Sequence, residues 1–214
     1  VLLKELLQIR FWLFFVVLSG FLILETYTIN NVFFSKTILY NSFADQISIE
    51  RILNIYEDQE KKQLVVLILL PVFLLIKILY NAFAITVYSS LNGRFDIRGN
   101  INVCLKAEII FCVMLLVKMV AFSFFIEVNN LNDFSSIPGA LSGFWGTKDI
   151  EVWAMYPLQT INIWEVLFCY IGTLLYANQF NVSKTVAFKR FCIPYLIGLL
   201  IWMLVIVFLT LQFS

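Results

Sequence analysis

The sequence predicts an all-α protein, a polytopic transmembrane helix bundle of five spans, and three observations carry that expectation. Of 214 residues, 61% are hydrophobic and only 14% are charged, whereas a soluble domain would be roughly half apolar and a quarter charged. Mean hydropathy is +0.90. The apolar residues also gather into runs near the length that a bilayer core about 30 Å thick requires, roughly 20 residues each. No soluble domain and no solenoid-type repeat interrupts them, so residues 1–214 are expected to form a single transmembrane domain.

The first apolar run extends from Phe11 to Leu24 behind a charged start containing Lys4, Glu5 and Arg10. A run this short reaches only about 21 Å as a helix, so the span is placed at about 8–28, with Arg10 snorkelling toward the surface. Glu25-Thr-Tyr-Thr28 follows where a signal peptide would carry a small-x-small cleavage site, which favours an uncleaved span. A polar stretch from Asn30 to Gln63 comes next. Within it Ile49, Ile52, Leu53 and Tyr56 recur at helical spacing beside Glu50, Arg51, Asn54, Glu57 and Asp58, an amphipathic pattern that predicts one apolar stripe.

The second span is expected at about 64–91 and the third at about 106–128, joined by the loop Asn92 to Asn100. The loop Asn129 to Pro157 holds Pro138, Gly139, Gly143 and Gly146 with Trp145 and Trp153, and aromatics so flanked suit an irregular segment anchored at the membrane interface. The fourth span is expected at about 158–178, and after a short loop the fifth follows at about 192–213.

Charge sets the expected orientation. With five spans, the side of the N-terminus holds Lys4, Arg10, Arg94, Arg98, Lys106, Lys184, Lys189 and Arg190 against Glu5, Asp96 and Glu108. The other side holds five bases against ten acids, Glu25 among them. The positive-inside rule then makes the N-terminus cytoplasmic and the C-terminus non-cytoplasmic. Lys77, Lys118 and Glu165 are left inside spans.

Composition also excludes chemistry. The chain has no histidine, which removes the usual neutral-pH base, the commonest zinc ligand and every Ser-His or His-Glu-x-x-His motif. No basic block exceeds two consecutive residues, so a nucleic-acid partner is not expected. Cys104, Cys112, Cys169 and Cys192 form no Cys-x-x-Cys pair and read as reduced packing residues. Gly139-Ala-Leu-Ser142-Gly143 lacks the activating base that an intramembrane serine protease needs and reads as a turn. Asn181-Val-Ser183 fits a glycosylation acceptor but falls on the cytoplasmic side and is expected to be unmodified. No phosphate-binding loop or metal-ligand cluster is present, so no cofactor and no enzymatic activity are expected.

The intramembrane polar residues are the candidates for function, because charge at membrane depth is costly. Lys77 is followed by Asn81, Ala84 and Tyr88 on one helical face, and Asn162, Glu165, Cys169, Gly172 and Tyr176 form a second polar or small stripe. Such stripes mark where transmembrane helices meet. One carboxylate at depth and no histidine favour interhelical bonding over an ion or substrate path. Helix-rise arithmetic further predicts that Lys118 and Glu165 lie at one depth and pair.

From Tyr156 onward the chain places Trp164 near the start of the fourth span, Gly172-Thr-Leu within it, and the linker Ser183-Lys184-Thr-Val-Ala187 before the last span. This segment resembles the Ypt-interacting protein (Yip) family and its bacterial relatives. The resemblance implies five spans with the same orientation and a non-enzymatic helper in trafficking, membrane organisation or assembly, with no catalytic residues to carry over. The motif of the long N-terminal region in eukaryotic members is not found here, so the resemblance implies a bacterial inner-membrane protein rather than one with a Rab-type partner, with a eukaryotic endomembrane as the alternative location. The expected function is a scaffold or accessory subunit whose partners are the lipid bilayer and other membrane proteins. The rival is a transporter or permease subunit, whose sign would be broken spans. Pro71 and Pro194 near predicted span ends speak mildly against that rival.

Overall fold

A computed structural model of the chain describes residues 2–43, 47–91, 95–143 and 151–213, and these are helical almost throughout. Ten α-helices follow in order: α1 (Leu2–Gln8), α2 (Phe11–Phe33), α3 (Lys36–Phe43), α4 (Ile49–Ser90), α5 (Ile97–Ala107), α6 (Ile109–Phe124), α7 (Leu131–Ser135), α8 (Val152–Thr160), α9 (Ile163–Phe180) and α10 (Lys184–Phe213). Among the described residues α2, α4 and α10 are long and apolar enough to cross a membrane.

Five columns carry the fold: α2, α4, α5 with α6, α8 with α9, and α10. Side-chain pairs give their directions. Thr86 meets Asn100 at 2.8 Å and Lys77 meets Glu108 at 2.9 Å, so α4 runs antiparallel to the α5–α6 column. Phe111 lies 5.5 Å from Phe168 between ring centres, while Gly99 faces Phe180, which makes the α5–α6 and α8–α9 columns antiparallel. Tyr156 meets Trp202, Glu165 meets Tyr195 and Thr173 meets Cys192, so α8–α9 runs against α10. Finally Phe14 sits beside Lys106 and Phe33 beside Phe122, which sets α2 parallel to α5–α6.

The long helices differ from the sequence expectation in one instructive way. The amphipathic segment and the second predicted span are a single 42-residue helix, α4, that runs through Pro71. At 1.5 Å per residue it is about 63 Å long, twice a bilayer core of about 30 Å, so its polar first part, Ile49 to Gln63, stands outside the apolar zone. Of its predicted stripe, Ile52 is buried, and Tyr56 stacks on Phe34 at 6.1 Å. Ile49 and Leu53 are exposed, so the stripe is only half as wide as its periodicity suggests.

Two columns are bent. The third predicted span, placed at about 106–128, begins inside a helical column whose lower part is α5, started by Asp96, whose carboxylate accepts from Gly99 N at 2.9 Å. The fourth, placed at about 158–178, is interrupted at Ile161 and Asn162, both extended. Asn162 restarts the helix: its Oδ1 accepts from Glu165 N at 2.9 Å and its amide donates to Gln159 O and Thr160 O. The turn from Pro138 to Gly143 is pinned to this break, with Leu141 N donating to Ile161 O, Ile163 N to Gly139 O, and Trp164 Nε1 to Pro138 O. Gly139 has φ 78, and a Cβ there would lie 2.6 Å from Ile163, so the turn requires glycine on both counts.

The core lies where the columns meet, around Ile78, Ile85, Val103, Leu105, Phe168 and Phe191. Outward faces of α2, α4 and α10 are broadly apolar, with Val16, Ile68, Phe73, Phe83, Leu204 and Phe208 all exposed. So continuous an apolar surface belongs against lipid or another protein. The closest approach of columns is at Gly172, where a Cβ would fall 2.0 Å from the Phe191 ring. Gly172→Ala is therefore expected to destabilise the bundle by about 1–3 kcal/mol, whereas Gly20→Ala, with open space around it, should be neutral or stabilising by up to about 1 kcal/mol. Thermal unfolding of both variants in detergent checks the contrast.

Candidate functional site

The polar side chains of highest electrostatic cost converge where the α5–α6 and α8–α9 columns bend. Glu108 is the residue between α5 and α6, and it is 2% exposed. Its Oε2 accepts from Lys77 Nζ of α4 at 2.9 Å, the only ion pair among the described residues. The same ammonium lies 3.6 Å from the centre of the Phe111 ring and 5.9 Å from that of Phe168. Two aromatic faces and one carboxylate thus share a single positive charge, in surroundings where each attraction is strengthened by desolvation.

Glu165 occupies the first turn of α9 and accepts a hydrogen bond from the Tyr195 hydroxyl of α10. It also lies within the electrostatic reach of both Lys77 and Glu108, and Tyr195 feels Glu108 as well. Four columns therefore contribute to one cluster. A third carboxyl belongs nearby: Glu25 of α2 is 3% exposed, neither of its oxygens has a hydrogen-bond partner among the described residues, and Cys112 of α6 feels both Glu25 and Glu108. Glu108 Oε1 is likewise without a partner.

Lower in the bundle Lys106 is fully buried, and its Nζ donates to Ile9 O at 3.2 Å while lying 3.8 Å from the Phe14 ring centre. With Asn102 Nδ2 donating to Leu7 O, it satisfies carbonyls left open where α1 ends, the usual work of a cation at a helix C-terminus. The polar chain continues through Asn100, Thr86 and the pair Ser89–Tyr176.

The sequence-predicted residues are thus distributed as follows. Lys77 and Glu165 enter the cluster, Asn81 is buried on the adjoining turn of α4 with its amide nitrogen unpartnered among the described residues, and Asn162 is the cap that restarts α9. Trp153 lies exposed on α8 and donates to Glu151; Trp145 falls outside the described residues. The expected pairing of Lys118 with Glu165 is corrected: Glu165 bonds to Tyr195, and Lys118 lies over Phe122 and Phe134, at 5.2 and 5.5 Å from the ring centres. The depth arithmetic assumed an unbroken fourth span packed on the third, whereas α9 restarts at Ile163 and turns Glu165 toward α10 and α4.

Glu108, Glu25, Lys106 and Tyr195 were missed. Charge counting had assigned the first three to the membrane's two sides because each stands at the edge of an apolar run. A usable signal existed for Glu108: Asp96 followed by Gly99 marks a helix start, and Asn100, Val103 and Ala107 then share the face that is buried.

Chemically, the cluster joins columns through one ion pair and the Tyr195–Glu165 hydrogen bond; it forms no metal-ligand group among the described residues. Removing one partner of a buried ion pair costs about 3–5 kcal/mol, since the other charge stays buried. Lys77→Met, which leaves the buried Glu108 carboxylate without its counter-charge, should be destabilising by an amount of that order, Glu108→Gln by less because the Lys77 side chain is 40% exposed, and the double variant by less than their sum, with a coupling of about 1–3 kcal/mol. Lys118→Met and Glu165→Gln should be additive within about 0.5 kcal/mol. Denaturation of the six variants and the unsubstituted chain in one detergent checks both cycles.

Comparison of the chain with protein-family models, with curated proteins and with solved structures found no match.

Proposed function

We propose that this chain is a non-enzymatic, five-span integral membrane protein that acts as a scaffold or accessory subunit of a larger membrane complex, Yip-like in build and suited to a bacterial inner membrane. The observation that carries the reading is the use made of its intramembrane polar groups. Lys77 with Glu108 ties α4 to the α5–α6 column, Glu165 with Tyr195 ties α9 to α10, and the Tyr80 hydroxyl ties α4 to Gly198 O at 2.8 Å. Neither of two surface cavities, of about 570 and 180 Å³, is lined by any residue of the charged cluster. Polar bonding turned inward and apolar faces turned outward suit a rigid body that meets lipid and neighbouring proteins.

The alternation of the five columns supports five crossings, with α6 and α9 completing the set begun by α2, α4 and α10. The excess of bases on the side of the N-terminus supports a cytoplasmic N-terminus and a C-terminus on the opposite side. One observation favours the second reading, a permease subunit: both bent columns break beside the charged cluster, as discontinuous helices do around transported ions.

Two measurements test these readings. In a background without the native cysteines, Ser183→Cys should resist an impermeant thiol reagent in intact cells while Glu57→Cys labels; the reverse pattern would overturn the orientation. Purification in mild detergent should retain a stoichiometric protein partner. A chain that purifies alone and moves protons or a solute across vesicles, with that movement lost in Glu108→Gln, would replace the scaffold by the permease.

A further inference from the structure

The cavity of about 570 Å³ lies at the end of the bundle opposite the N-terminus, where α2 ends, α4 leaves the apolar zone and α7 crosses. Along α4 its wall is formed by Tyr56, Gln59, Gln63 and Val66, which share one helical face. Phe34 and Phe134 close the other sides. The wall is graded: Gln59 and Lys62 stand toward the polar half of α4, and Val66 opens on the exposed run Leu64, Val65 and Ile68.

Three lysines stand at or near this cavity. Lys62 lines it, Lys36 lies 5.1 Å from the centre of the Tyr56 ring, and Lys118 lies 5.5 Å from that of the Phe134 ring. None of the three ammonium groups has an ion-pair partner among the described residues. Among the described residues no carboxylate belongs to the lining. Glu57 and Asp58 of α4 are exposed elsewhere, and Asp133 of α7 is engaged with Asn129 N at 3.2 Å. Gln63 Nε2 is shut away from solvent and has no acceptor among the described residues.

We propose that this cavity binds the phosphate-bearing headgroup of an anionic phospholipid, whose acyl chains run down the exposed apolar face of α4. Such a headgroup supplies what the wall lacks: acceptor oxygens for the Gln63 and Gln59 amides, and negative charge for Lys62, Lys36 and Lys118. It also accounts for Lys118, an ammonium far along an apolar helix with ring faces for company and no carboxylate. A cavity of this size lies within the range of ligand sites, and juxtamembrane lysines draw anionic lipids. The inference rests on the reading that α4 enters the bilayer near Leu64.

The test is native mass spectrometry of the purified full chain incubated with phosphatidylglycerol, with phosphatidylcholine, or with water-soluble glycerol 3-phosphate. The chain should retain one phosphatidylglycerol at least several-fold better than phosphatidylcholine. Lys62→Ala, at an exposed position that cannot disturb folding, and Gln63→Leu should each lower retention about tenfold, and Lys61→Ala, next in sequence but outside the lining, should leave it unchanged. Lys118→Met should lower it as well. Equal retention by Lys61→Ala and Lys62→Ala, or no adduct at all, would overturn the site. Glycerol 3-phosphate held as tightly as phosphatidylglycerol would overturn the lipid as its source. Because thiol labelling at Glu57→Cys reports the membrane placement independently, a failed lipid site and a failed topology give different results.

Discussion

A charge that leaves water for the interior of a membrane bundle must take its counter-charge with it, and Lys77 with Glu108 is where this chain meets that demand. The bond constrains more than its two residues. Glu108 can face Lys77 only because α5 gives way to α6 at that position, with Phe111 N turning back to Glu108 O at 3.0 Å. The aromatic floor of Phe111 and Phe168 then brings α9 against the α5–α6 column, and the same level admits Glu165 and Tyr195. The bend of one column and the packing of the middle layer thus centre on one ion pair, buried on its Glu108 side, and the rings beside it.

The cluster holds more carboxyl than ammonium groups. An uncompensated buried carboxylate is costly; Glu165 meets the hydroxyl of Tyr195 and Glu108 meets Lys77, whereas Glu25 of α2 is buried without a hydrogen-bond partner among the described residues. The separate fate of Lys118, among Phe122 and Phe134, shows another arrangement, in which aromatic faces stand where a side-chain anion would.

Small residues and backbone breaks place these groups. Gly172 lets the ring of Phe191 reach the backbone of α9, which brings Cys192 to Thr173 at 3.2 Å and Tyr195 to Glu165 one turn further on. Gly99 does the same for Phe180 under α5. Asn162 ends one helix by its amide and begins the next by its carbonyl oxygen. Asn181, at φ 50, closes α9 in the left-handed conformation that asparagine tolerates better than most residues.

Composition and hydropathy determined by themselves that the chain is helical and belongs to a membrane, because burial in lipid acts on single residues and leaves its mark in runs. The facing stripe Asn162, Glu165, Gly172 and Tyr176 was legible for the same reason, since a helix repeats its faces at a known interval. The identity of each polar partner was not. Glu25, Lys106 and Glu108 look like loop charges in a hydropathy profile, and only the crossing of α2, α4 and α5 buries them. Glu165 and Lys118 share a depth on paper, yet the break before α9 turns one toward Tyr195 while the other remains beside Phe134. Depth is additive along a chain and can be summed from sequence; direction depends on how columns rotate to fit one another, and that is decided only when all of them pack together.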